Sequence, residues 1–272
     1  AYRNAILEEP DVRDWQLGLA RSLLATEEHK EAAALFGFLI AETPDDPTLW
    51  MLQANAYLGL DEPLAAAVNL EAVRMMGKAQ SSSLVLLGDI YMNAGMYELA
   101  KLAYLEVIRS DQGATQFSTA YRAADLLVRA RSHEEAEEIL ASIDKRYGAE
   151  FSQDDELKVL TLKAKIARAK GDTEEAAELL ESIVNRDGTR GDALVELASY
   201  YHASGEREKA LLTIERAQNL EDFEYQALLA HAQFRVEARD YARAAELLQR
   251  ALQIKREPRV ERFLARVEGA TR

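Results

Sequence analysis

Four histidines are the side chains of this chain with the widest chemical range near neutral pH. His29 and His133 fall at equivalent places, each just before an apolar helical run, and read as solvated turn residues. His231 sits among apolar residues at helical spacing and reads as a core-edge histidine. His202, beside Tyr201, falls on a face turned away from the core and is the one candidate ligand or proton donor. No zinc-binding HExxH, phosphate-cradling GxxxxGK[ST] or nucleophile-bearing GxSxG occurs. The run Asp187-Gly188-Thr189-Arg190-Gly191 is too isolated to cradle phosphate and reads as a turn. Paired carboxylates such as Glu134–Glu135 and Glu174–Glu175 open helical runs, where they complement the helix dipole without any acid–base task. Cysteine is absent, which excludes disulfides, thiolate metal sites and cysteine nucleophiles. The sequence therefore predicts no enzyme, no metal and no cofactor.

Binding remains. A formal net charge of -14 argues against a general nucleic-acid binder, which needs a basic face to displace counterions. No apolar run approaches the roughly 20 residues that span a bilayer, so no membrane insertion is expected. The expected partner is a protein or peptide, with a homodimer as the other candidate. Cytoplasm and bacterial periplasm both fit this composition.

The elements that would position a binding surface are short amphipathic helices in pairs. In Leu84–Val107, Leu84, Leu87, Gly88 and Tyr91 share one helix face; Gly95 ends that helix, and Tyr97, Ala100, Tyr104 and Val107 share a face of the next. Gly88 and Ala100 are small residues twelve apart. The same pair recurs as Ala20 with Ala32, Ala54 with Ala66, Ala124 with Ala136, Ala164 with Ala176, Ala198 with Ala210, and Ala232 with Ala244. Small residues on both helices let the backbones approach closely, and larger ones would cost roughly 1–3 kcal/mol. Four residues after each second marker stands a large apolar group: Phe36, Leu70, Tyr104, Leu140, Leu180, Ile214 and Leu248.

This order of small, aromatic and apolar positions resembles the tetratricopeptide repeat. Pro47, Trp50, Ala54, Tyr57 and Ala66 match its signature, as do Gly88, Tyr91, Gly95, Tyr97, Ala100 and Tyr104, and Leu194, Leu197, Ala198, Tyr201, Gly205 and Ala210. Departures are Leu127 and Arg131 in the fourth copy and Arg235 and Arg239 in the seventh, which should weaken those copies. The resemblance implies an all-α, right-handed α-solenoid in a single domain over 1–272. It divides into a partial repeat (1–12), seven hairpins (13–46, 47–80, 81–116, 117–156, 157–190, 191–224 and 225–258) and a C-terminal helix (259–269). The opening segment reads as a second helix without its first, so an upstream continuation is expected. Ser132 with Glu135, and Asp172 with Glu175, have capping-box spacing. Two longer links, 111–116 and 145–156, are expected to lengthen a helix or a turn, with a bend in the superhelix or a contact loop as the alternative for the second.

In proteins of this family the outward residues of each first helix line a concave groove. Carried over by position, these are Leu17, Arg21 and Leu24; Met51, Asn55 and Leu58; Val85, Asp89 and Met92; and Tyr121, Asp125 and Val128, with Arg122 beside Tyr121 a further candidate. The fifth copy supplies Thr161, Lys165 and Arg168, with Lys158 nearby, and forms a basic step. The last two copies supply Val195, Ser199 and His202, then Leu229, Gln233 and Val236. The first four copies thus offer an apolar strip containing methionines, whose adaptable thioethers suit a peptide or helix. The carboxylate clamp that some relatives use for chaperone tails would fall on Met51, Asn55, Leu86, Ser118 and Arg122, where only Asn55 and Arg122 fit. The sequence thus points to a non-catalytic interaction scaffold. Alternatives are a self-associating spacer of a larger polypeptide, or a recruiting module for a catalytic domain outside this sequence.

Overall fold

The structure is a computed structural model that describes residues 1–110 and 117–270; the link expected at 111–116 lies outside the described residues. The chain forms two compact units, Ala1–Ala149 and Glu150–Arg272. In the first, α1 (Tyr2–Glu8) precedes four hairpins. These are α2 (Arg13–Ala25) with α3 (His29–Glu42), α4 (Pro47–Gly59) with α5 (Pro63–Met75), α6 (Ser81–Asn93) with α7 (Tyr97–Arg109), and α8 (Phe117–Arg129) with α9 (His133–Tyr147). The second unit holds α10 (Gln153–Lys170) with α11 (Thr173–Arg186), α12 (Gly191–Ala203) with α13 (Arg207–Gln218), α14 (Glu224–Glu237) with α15 (Tyr241–Ile254), and a final α16 (Pro258–Ala270). The fold is all-α, as the repeat spacing predicts. Within each unit the helices of a hairpin pack on each other, and most second helices pack on the first helix of the next hairpin.

The small markers are where each pair meets. All fourteen are buried, from Ala20, Ala32 and Ala124 at 0% exposure to Ala176 at 6%. The large residues four positions on are buried too, and they fill the space toward the next hairpin. The third hairpin takes this furthest, because Tyr104 is its filler. A Cβ added at Gly88 would stand 2.5 Å from the Tyr104 ring. Hairpins that fill with leucine carry alanine at the corresponding first marker. In this hairpin the Tyr104 ring takes the space a methyl group would need at position 88.

The turns are uniform. Seven residues after each first marker the backbone is left-handed: Glu27, Asp61, Gly95, Arg131, Gly171, Gly205 and Arg239 all have φ between 59° and 87°. The next residue's N–H donates to a carbonyl five back, as from Met96 to Tyr91 (2.8 Å) and from Ser132 to Leu127 (2.9 Å). This closure of helix ends usually selects glycine. Arg131 and Arg239 keep the same closure as the glycine turns, so the departures from the family pattern cost local strain without changing the geometry.

That closure also explains a difference from sequence. The two capping boxes do not form, since neither Ser132 nor Asp172 gives a side-chain cap to the following helix. Their own N–H groups already donate to Leu127 and Ala167, so no glutamate is needed to satisfy them. The Ser132 hydroxyl instead donates to the Glu135 carboxylate at 2.8 Å.

At the link 145–156 the extra residues lengthen the flanking helices, α9 to Tyr147 and α10 back to Gln153. The boundary between the two units falls within it. In the first unit α7 also packs directly on α9. Lys101, buried there, is neutralised by Glu138 at 2.7 Å and Glu98 at 2.8 Å, as a buried ammonium requires.

Gly88→Ala should lower stability by about 1–2 kcal/mol, because the overpacking penalty exceeds the gain in helix propensity. Adding Tyr104→Leu, the arrangement of the second and fourth hairpins, should restore most of that loss in urea denaturation.

Candidate functional site

The residues expected to line a groove come from the first helices and are held by the hairpin cores beneath them. In the first unit Leu17, Leu24, Met51, Leu58, Val85, Met92, Tyr121 and Val128 are all half-buried, neither locked in the core nor wholly in solvent. Leu17 and Leu24 lean on the cluster that contains Phe36 and Leu39. The Ser83 hydroxyl reaches the Met51 sulfur at 3.7 Å, a weak contact from one hairpin to the next. Tyr121 stacks on Phe117, with ring centroids 5.8 Å apart.

The polar members are mostly tied down. Asp89 accepts from the Tyr104 hydroxyl (2.6 Å) and from Arg122 (3.0 and 3.1 Å), which joins α6, α7 and α8. Burial and then the Asp89 carboxylate push the Tyr104 hydroxyl far above its usual pKa, so it stays a donor. Asp125 pairs with Arg129 at 2.7 Å. Arg122, one of the two residues fitting a chaperone-tail clamp, is therefore held by the chain's own carboxylate.

The second unit is treated by itself. Of the expected basic step, Lys158 lies against Asp154 (2.5 Å) and Asp155 (3.4 Å), and Arg168 against Glu196 (2.6 Å). Thr161 is half-buried, and its hydroxyl donates to the Leu157 carbonyl at 2.7 Å. His202 bonds Glu237 at 2.7 Å and stacks on Phe234 with ring centroids 4.2 Å apart. A bond from Gln233, and then that from His202, hold the Glu237 carboxyl below its usual range. Val195, Leu229 and Val236 are half-buried, while Ser199 and Gln233 are exposed. Among the described residues, Arg21, Asn55 and Lys165 are exposed with no side-chain partner.

The other histidines divide. His29 and His133 are not solvated turn residues: both are half-buried at the first position of a second helix, with Nδ1 out of contact with solvent. A Cβ at Gly59 would come within 2.5 Å of the His29 ring, so the imidazole serves as a flat packing group there. His231 is buried at 6% exposure, with Gln218 at 2.9 Å from Nδ1 and Arg235 donating to Nε2 at 3.1 Å.

Sequence reasoning missed one feature. A recess of about 580 Å³ opens between α10, α11 and α12, with Ala176, Ala177, Leu180, Val195, Tyr200 and Ala203 as apolar walls. Thr173, Arg168, Glu196, Ser199 and Ser204 edge it. Its signal lies in the first residue of each second helix, read down the chain: His29, Pro63, Tyr97, His133, Thr173, Arg207, Tyr241. Thr173 and Pro63 are the two smallest side chains in that column.

Comparison with known families gives two matches, both described as the tetratricopeptide repeat. One model covers residues 1–56 and 167–232, the other 81–113, together more than half of the chain. Among solved structures, the C-terminal part of a TPR repeat-containing protein from Cytophaga hutchinsonii is similar, with 16% identity and a TM-score of 0.56; the match covers 89% of this chain and 96% of that one. PilF of Pseudomonas aeruginosa is similar at 14% identity and a TM-score of 0.50, covering 81% of this chain and 97% of that one. At such identities the likeness is one of fold. Among curated proteins no sequence relative matches.

His231 carries a pH dependence. Burial, and then the charges of Arg235 and Arg243, lower its pKa to about 4. The unfolded chain therefore binds a proton between about pH 6.5 and 4 that the folded chain refuses, and stability is lost as pH falls through that window. The loss should reach about 2–3 kcal/mol by pH 4. In melts across this range, His231→Gln should be less stable at pH 7 but should lose this part of the slope.

Proposed function

Because the chain belongs to the tetratricopeptide repeat family, whose members bind protein partners and are generally non-catalytic, we propose that it is a protein-binding scaffold. On this reading, it holds a peptide or helix of its partner along the outward faces of successive first helices. The observation that carries this reading is the state of the apolar groove residues in the first unit. Successive helices α2, α4, α6 and α8 each leave such side chains half-exposed, in register from hairpin to hairpin. A contiguous apolar strip is unfavourable in water unless something covers it.

Three further properties support it. Most charged groups beside the strip, Asp89 with Arg122 and Asp125 with Arg129, are paired within the chain, while Arg21 is left exposed, so a partner is met through apolar contact with few polar groups to satisfy. Met51 and Met92 adapt their shape to a ligand at little cost. Hairpins closed by hydrogen-bonded turns are preorganised, which leaves most of the ordering entropy to the partner. No helix among the described residues is long and apolar enough to cross a membrane.

Met51→Glu and Tyr121→Glu, each placing a charge on the strip, should lower recovery of the partner in a pull-down with the whole chain as bait by at least about tenfold. Helicity should be kept and melting should shift little. Unchanged recovery by both variants would refute the strip as the binding face, and unfolding of both would place these residues in the core.

A further inference from the structure

The recess in the second unit has an internal precedent that says what it takes. In four of the other six hairpins the first residue of the second helix is a ring: His29, Tyr97, His133 and Tyr241. Each of these rings is half-buried. His29 lies flat over Gly59 of the next hairpin, and Tyr241 packs on the cluster of Ala232, Ala244 and Leu248. The fifth hairpin has Thr173 instead, exposed at the edge of the recess. On the facing helix α12, Ala203 corresponds in register to Gly59, so the wall opposite is small as well. Thr173 thus leaves open at this hairpin a position that a ring takes in four others.

Charge at the rim adds a second requirement. Lys165 lies one turn before Arg168 on α10 and lines a smaller hollow that shares Leu180 and Glu196 with the recess. Glu196 already holds Arg168 at 2.6 Å, which leaves Lys165 exposed and unpaired in a chain of net charge -14. The smaller hollow also carries Arg190, Asp192 and Glu196, and the Lys165 ammonium, left without an ion-pair partner there, is complementary to a carboxylate. The recess volume of about 580 Å³ falls within the range of pockets that bury small ligands.

We propose that this recess receives an aromatic side chain from an acidic peptide segment, with the ring among Ala176, Ala177, Leu180, Tyr200 and Ala203 and a neighbouring carboxylate of the segment on Lys165. The proposal deepens the scaffold reading and rests on it, since it names one anchor of the partner. The binding step is association alone. Ring burial supplies affinity, and the lysine selects among rings by their neighbours.

The test uses the whole chain and three blocked tripeptides, followed by calorimetric titration and ligand-observed NMR. Acetyl-Asp-Tyr-Asp-amide should bind saturably. Acetyl-Asp-Ala-Asp-amide should bind at least about tenfold more weakly, and acetyl-Asn-Tyr-Asn-amide about threefold more weakly or worse. Thr173→Tyr, which gives this hairpin the ring that others have, should keep or raise the melting temperature and remove binding of the first peptide. Ala203→Phe fills the recess from the opposite wall and should do the same, which covers a failure of the first variant to fold. Lys165→Gln should bring the affinity for the aspartate peptide down to that for the asparagine peptide.

No saturable binding up to millimolar peptide, or binding that survives both filling variants, would overturn the proposal. Failure here is separable from failure of the scaffold reading. If Met51→Glu and Tyr121→Glu release the partner while the tripeptide does not bind, the scaffold stands and the aromatic anchor falls. If the tripeptide binds and is displaced by Thr173→Tyr while the strip variants keep their partner, the anchor stands and the strip falls.

Discussion

Two helices can lie this close only where neither carries more than a methyl group at the crossing, and every hairpin of this protein is organised around such a point. Gly88 against Ala100, and alanine against alanine in the other six pairs, bring the backbones together. The left-handed residue seven places after the first marker then turns the chain, and the hydrogen bond that follows fixes the angle at which the second helix leaves. Contact and turn support each other: without the turn the small faces would not meet, and without the small faces the turn would have nothing to close. A large residue four places later extends the packing toward the next hairpin, so the core is handed on along each unit.

This arrangement tolerates substitution because each position has a compensating partner. Tyr104 is matched by Gly88, the His29 ring by Gly59, and buried Lys101 by two glutamates. Non-glycine residues accept the left-handed turn at a cost on the order of 1 kcal/mol each, which the shared hydrogen bonds and the packing beneath them offset. The same logic reaches the surface. Several carboxylates and cations on the first helices pair within a helix or between hairpins, while the apolar residues of the candidate strip stay half-buried. In the second unit Thr173 edges an apolar recess, and Lys165 stands exposed without an ion-pair partner.

The hairpins were legible in the sequence because backbone approach demands a residue type, and a demand repeated seven times shows as a period. The large fillers were legible for the same reason. Interactions that depend on which rotamer reaches which neighbour were not. Glu135 and Glu175 stand at capping-box spacing, but the turn consumes the N–H groups they would have satisfied. His29 and His133 looked solvated because polar side chains at turns usually are; the closeness of Gly59 turns the His29 imidazole into packing. The positions of the candidate groove could be carried over, whereas the pairing of Asp89 with both Tyr104 and Arg122 could not, since it links three helices at separations without a period. The recess was invisible as a pattern because it is the absence of a ring. It shows only when Thr173 is set beside its six counterparts.

Hydrogen exchange at the seven turn amides tests the common closure most directly, since native-state protection reports local opening. The N–H groups of Glu28, Glu62, Ser132 and Asp240, which follow Glu27, Asp61, Arg131 and Arg239, should exchange within about tenfold of those of Met96, Asp172 and Glu206, which follow glycines. Exchange near the unfolded rate at the first four, with protection kept at the glycine turns, would contradict a scaffold of uniformly closed hairpins.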